Sequence, residues 1–106
     1  MRNVLFVCSQ NKLRSPTAEQ VFANSRDIEV SSAGTNNDAE NPLSKELVEW
    51  ADIIFAMEKT HRAKIQRKYR SVLKGKQIIC LEIRDDYTFM DARLIELLET
   101  RVPRYL

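Results

Sequence analysis

Glycine is scarce: the chain of 106 residues holds 2, Gly34 and Gly75, where average usage would give about 7. A G-x-G-x-x-G fingerprint needs three glycines within one turn, and a Walker loop needs two flanking four residues. Both nucleotide-binding loops are therefore excluded, as is a Gly-rich linker. Cysteine is also sparse, with Cys8 and Cys80 the 2 present beside the single His61. Their separation fits no metal-ligand spacing, so no metal site and no cofactor is expected. A disulfide between them is open, although a reducing compartment favours two free thiols. Apolar runs are short, and none approaches the roughly 18–20 residues that span a bilayer. Asn3–Cys8 is too brief for a signal core and no small-residue cleavage site follows. The expectation is a cytoplasmic protein with no membrane contact.

What is present describes a globular chain. Hydrophobic residues make up 43% and charged residues 30%. The length predicts one domain over residues 1–106, burying roughly 65% of its unfolded surface. Net charge is +2, but the charges are segregated. Asp27 to Glu58 carries eight acids and one base, Lys45; Lys59 to Lys76 carries eight bases and no acid. A basic stretch can mark a nucleic-acid partner. Here Ile65, Tyr69, Val72 and Leu73 recur among the bases at helical spacing, which reads as one apolar stripe under a solvated face. The pI near 8.6 lies below the usual threshold of about 9, and Tyr69 is the stretch's one aromatic. A nucleic-acid partner is thus disfavoured.

Four apolar runs have strand length: Val4–Val7, Ile28–Val30, Ile53–Ala56 and Ile78–Leu81. The first, third and fourth are apolar on both faces, as buried parallel strands are. Helical spacing follows each: from Ser15-Pro16, from Asn41-Pro42, after Met57 and after Asp91. Proline at a first helical position is a start signal, because the N–H it lacks would be unpaired there. Strand and helix alternating four times predict a parallel sheet covered on both faces. Ligands of such sheets bind beyond the carboxyl ends of the strands, which directs attention to Cys8, Ser31–Thr35, Met57–Lys59 and Glu82–Asp86.

Cys8-Ser9-Gln10-Asn11-Lys12-Leu13-Arg14-Ser15-Pro16 occupies the first strand-to-helix turn. Five residues between Cys8 and Arg14 can curl round one oxyanion, and the helix N-terminus adds its positive dipole end. Arg14 can grip two phosphoryl oxygens in its planar fork. A thiol beside a guanidinium and the Ser15 hydroxyl is a ready nucleophile. The loop has no glycine, so a left-handed backbone, if the cradle needs one, is expected at Asn11, with Gln10 the fallback.

Val4-Leu5-Phe6-Val7-Cys8, Asn11 and Arg14-Ser15-Pro16 resemble the opening of the low-molecular-weight protein tyrosine phosphatases. The resemblance continues in Ser31–Thr35, Ala51–Glu58 and Asp85-Asp86-Tyr87, where that family has D-P-Y. It implies a flavodoxin-like, three-layer α/β fold with four parallel strands in order 2-1-3-4. It also implies metal-independent hydrolysis of phosphomonoesters through a phosphocysteine. By the same resemblance Cys8 is the nucleophile, Arg14 the phosphate clamp, Ser15 the stabiliser of the thiolate and Asn11 the keeper of loop shape. Asp85 is the general acid and then the base, with Asp86 the alternative where the family has proline. Ser9, Gln10, Lys12 and Leu13 complete the phosphate loop, and Tyr87 would wall a phosphotyrosine ring. Three departures stand out: Gln10 replaces a glycine, Leu13 replaces a frequent second cysteine, and the segment Thr35–Trp50 is short.

The expected partner is a phosphorylated protein or a small phosphate ester, while oligomeric state is not legible. Three rival functions share the motif. Arsenate reduction would need Cys80 to resolve a disulfide with Cys8. A phosphoryl carrier would have to preserve a phosphocysteine that Arg14 and Asp85 tend to discharge. A non-catalytic phosphate-binding module would use the same loop without turnover. Among the remaining residues, Trp50 and Cys80 read as packing, and His61 as a helix-surface residue.

Overall fold

The computed structural model describes residues 1–106. Four strands, β1 (Arg2–Cys8), β2 (Ile28–Gly34), β3 (Ile53–Ala56) and β4 (Gln77–Cys80), alternate with four helices. These are α1 (Arg14–Phe22), α2 (Lys45–Trp50), α3 (Lys59–Lys68) and α4 (Ala92–Arg101). All strand pairs are parallel and the sheet order is 2-1-3-4, as the resemblance implies. No helix is long and apolar enough to cross a membrane.

The centre of the sheet explains its sequence. Val4–Val7 and Ile53–Ala56 have no exposed surface, because each strand lies between two neighbours and under helices on both faces. One face packs Val4, Phe6 and Phe55 against Ala18 and Phe22 of α1 and Leu94 and Leu98 of α4. Phe6 stacks on both Phe22 and Phe55, with ring centroids 5.8 Å and 5.4 Å away. The other face packs Leu5, Val7, Ile54 and Ala56 against Val48 of α2 and Ile65 of α3. Tyr69, Val72 and Leu73 join this second layer, as the apolar stripe among the bases predicts, although α3 itself stops at Lys68 and a 3-10 turn follows.

Two local expectations need correction. β4 is an edge strand and only half-buried, not sealed on both faces; its apolar residues rest on β3 while the outer edge meets solvent. The second helix opens at Lys45 rather than at Asn41-Pro42. Ser44 caps it by accepting from the Leu47 N–H at 3.2 Å. Pro42 instead pairs with Gly34: Gly34 N–H donates to Asn41 C=O at 2.9 Å and Leu43 N–H to Gly34 C=O at 2.8 Å. Proline disfavours helix in the residue before it, so Asn41 stays extended and lengthens the sheet edge.

Candidate active site

The first strand-to-helix turn lies at the carboxyl end of the central strand β1, where the sheet opens towards β2 and β3 on either side. Its carbonyls turn towards the β2–α2 loop. Cys8 C=O accepts from Thr35 N–H at 2.9 Å, Ser9 C=O from Asn36 N–H at 3.0 Å and Gln10 C=O from Glu40 N–H at 2.9 Å. None of the backbone N–H groups from Ser9 to Ser15 donates to a protein acceptor. Carbonyls engaged behind and amides uncommitted in front are what an anion cradle requires.

Asn11 holds the cradle's shape. Its φ of 57° is left-handed, the conformation expected there because asparagine tolerates it. Its buried amide donates to Ser15 Oγ and to Ser32 Oγ, each at 2.9 Å. Ser32 Oγ in turn donates to Glu19 Oε1 at 2.5 Å. Ser15 Oγ lies 2.9 Å from Cys8 Sγ, so the thiol is linked to β2 through two side chains. Gly34 explains where one glycine was needed. A Cβ there would sit 2.5 Å from Ser9 C=O and 2.5 Å from Ala39 Cβ. The loop's backbone lies directly on it.

Arg14 is 3% exposed and opens α1. One nitrogen, Nη1, donates to Glu58 Oε2 at 2.6 Å and to Ile83 C=O at 2.7 Å. Nη2 and Nε have no hydrogen-bonded protein partner; Nε lies 3.8 Å from Asp85 Oδ1. The fork is thus anchored by one tine, with the others available to an oxyanion. Asp85 is 66% exposed and follows a segment that continues β4 beside β3, where Leu81 N–H donates to Ala56 C=O and Ile83 N–H to Met57 C=O. A cavity of about 140 Å³ is lined by Cys8, Ser9, Gln10, Lys12, Leu13, Arg14 and Asp85.

Asp86 and Tyr87 are not part of that lining. Asp86 faces Arg84, with Oδ2 3.5 Å from its Nε. Tyr87 turns to the α4 side, where it packs on the core and under the Arg93 guanidinium at 5.6 Å. The expected aromatic wall therefore stands on another face, on the core rather than at the loop. Cys80 is a free, half-buried thiol. It is in register with Ala56, itself beside Val7, which puts it two strand spacings, about 10 Å, from β1. A disulfide needs Cα atoms within about 7 Å.

His61 corrects a further expectation, because it is 2% exposed rather than on the helix surface. In the first turn of α3 it faces the phosphate loop. Its Nδ1 accepts from Glu58 N–H at 3.1 Å, and Nε2 lies 2.8 Å from Ser9 Oγ. Burial first, and then the neighbouring Arg14 charge, lower its pKa from 6.5 to about 4. Neutral His61 accepting at Nδ1 carries its proton on Nε2 and donates it to Ser9 Oγ. The Ser9 hydroxyl hydrogen is then left to face the cavity. Glu58 lies in the Met57–Lys59 strand end to which the sheet rule directs attention, and its role, unassigned from the sequence, is to hold Arg14.

The site is thus a thiol at the base of an amide cradle closed by one arginine, on the 2-1-3-4 parallel sheet of an α/β protein. Residues 3–49 match the family model of low molecular weight phosphotyrosine protein phosphatases. Solved structures with this fold include the YwlE arginine phosphatase from Geobacillus stearothermophilus, with TM-score 0.78 and 21% identity over 98% of this chain and 92% of that one. The tyrosine phosphatase Wzb from Escherichia coli K30 gives 0.78 and 21% over 99% and 96%. SP-PTP, a low molecular weight protein tyrosine phosphatase from Streptococcus pyogenes, gives 0.80 and 15% over 100% and 94%. No curated protein matches in sequence. The resemblance read from Cys8–Pro16 is borne out to this extent: residues 3–49 match that family's model, and the whole chain has the fold of these solved structures.

Proposed function

We propose that the chain is a metal-independent cysteine phosphatase of one domain that acts in the cytoplasm on phosphomonoesters, with protein phosphotyrosine as its substrate class. The observation that carries this is that Cys8, the loop residues Ser9, Gln10, Lys12 and Leu13 with uncommitted amides, and Arg14 with its open side line one cavity, with Asp85 at its lip. The phosphatases among the structural neighbours support it.

In the proposed reaction the phosphoryl group lies in the cradle, its oxygens on the loop amides, the Arg14 fork and Ser9 Oγ. Cys8 Sγ attacks phosphorus as the ester P–O bond breaks, and Asp85 gives its proton to the departing oxygen. A water then attacks the phosphocysteine, losing a proton to the Asp85 carboxylate. The P–S bond breaks to release inorganic phosphate and return the thiolate, to which Ser15 Oγ donates. Glu58 and Ile83 C=O fix Arg14 throughout.

The test is turnover of an aryl phosphate in the presence of a chelator. The wild type should turn over, Cys8→Ser should not, and Asp85→Asn should be slowed. Metal-independent activity that survives Cys8→Ser overturns the reading. Phosphate or vanadate binding without turnover by the wild type would identify a binding module instead.

A further inference from the structure

Beside the phosphate loop lies a second concavity of about 580 Å³, lined by Thr35, Asn36, Asn37, Lys64, Arg67 and Lys68. It has no apolar residue. The three cations stand on consecutive turns of α3 and none is within ion-pair distance of a carboxylate. Thr35 Oγ1, on the opposite wall, is a buried hydroxyl oxygen with no hydrogen-bond partner. Three cations gathered on one helix face, none neutralised by a carboxylate, mark a place for an anionic group. Resting on the functional reading above, we propose that this groove docks acidic side chains of a phosphorylated protein substrate, near the residue whose phosphate enters the cradle.

Two connections set the spacing. Thr35 and Asn36 hold the carbonyls of Cys8 and Ser9, so the groove's loop is the back wall of the cradle. His61, hydrogen-bonded to Ser9, begins the helix that carries the cations. Lys64 and Lys68 lie about 5 and 11 Å beyond it along the axis, at 1.5 Å per residue. An extended peptide rises about 3.3 Å per residue, so a carboxylate two to four residues from the phosphorylated one reaches them. A nucleic acid fits less well, because no aromatic ring lines the groove for base stacking.

The test compares three substrates on the wild type and on a Lys64→Gln/Arg67→Gln/Lys68→Gln variant, whose changes are all at exposed positions. These are an aryl phosphate, a phosphotyrosine peptide with neutral flanks, and the same peptide with aspartates two to four residues away. The wild type should favour the acidic peptide by about tenfold in kcat/KM, three exposed pairs each contributing a few-fold at most. The variant should lose that preference, with the other two substrates unchanged. No preference in the wild type, or one that persists in the variant, overturns the proposal. Anisotropy with the unphosphorylated aspartate peptide reads the groove without catalysis. Binding lost in the variant supports the proposal even where no substrate turns over, an outcome that would sink only the phosphatase reading. A variant that loses a single-stranded RNA oligonucleotide but keeps the peptide contradicts it.

Discussion

Across the cavity, the cradle and the acid are built in opposite ways. From Cys8 to Ser15 the loop is backed on Gly34, its carbonyls are tied to the β2–α2 loop, and Asn11 and Arg14 are buried. Asp85 lies on an irregular, exposed stretch, and its link to the site is a 3.8 Å approach to Arg14. The contrast fits the chemistry proposed for each side. Stabilising a phosphoryl transition state needs several donors held in fixed directions before the substrate arrives. Delivering one proton needs a carboxyl that reaches the leaving oxygen and tolerates leaving groups of different shape. Local order is therefore concentrated where positional error is most costly.

Substitutions on the two sides should separate accordingly. The largest loss should come from Cys8→Ser, at least about 10⁴-fold in kcat, as for other removed nucleophiles. Arg14→Lys should follow at about 10³-fold, because an ammonium cannot serve Glu58, Ile83 C=O and two phosphoryl oxygens at once. Asp85→Asn should cost about 10²–10³-fold in kcat/KM for substrates with poor leaving groups and far less for nitrophenyl phosphate, whose departure needs no proton. Asp86→Asn should change kcat less than about twofold, since Asp86 faces Arg84. Equal losses at Asp85 and Asp86 would erase the assignment of the acid.

Smaller effects sharpen the account of the cradle. Asn11→Ala places a less tolerant residue at φ 57° and removes two buried hydrogen bonds. A stability loss of about 2–3 kcal/mol by urea unfolding is expected, with Asn11→Gly recovering the backbone part. His61 gives a pH signature. Its native pKa of about 4 lies below the unfolded 6.5, so on acidification the unfolded chain takes up a proton that the native one refuses. Stability should be flat above pH 6.5 on this account and decline as pH falls towards 4, by about 3 kcal/mol at 1.4 kcal/mol per pKa unit. In His61→Gln that component of the decline should be absent. Urea midpoints at pH 7 and pH 4.5 for both proteins measure the difference.

Much of the ordered side was legible in the residues. Strands apolar on both faces can only be central in a covered parallel sheet, and the loop between the first of them and Ser15-Pro16 then falls at its active edge. The scarcity of glycine even located the left-handed residue at Asn11. His61 was missed because, among exposed bases, a polar side chain reads as surface; only the packing of α3's first turn on the loop buries it. Glu58 becomes Arg14's partner through sheet order, and Ile83 contributes a carbonyl, which has no sequence signal. Tyr87 and the start of α2 were misplaced because exposed irregular backbone takes its direction from contacts distant in the chain. The core and Arg93 hold the tyrosine, and Gly34 pairs with Pro42.

The central claim is that Cys8 carries the phosphoryl group between Asp85's two proton transfers. Asp85→Asn mixed with nitrophenyl phosphate and quenched in acid within one turnover tests it most directly, because bond breaking needs no acid there while hydrolysis has lost its base. The account predicts a burst of nitrophenol and one phosphate per chain, found by peptide mass spectrometry on Cys8. Turnover by the wild type with no phosphate on Cys8 in either protein, or with it on another residue, would contradict the account.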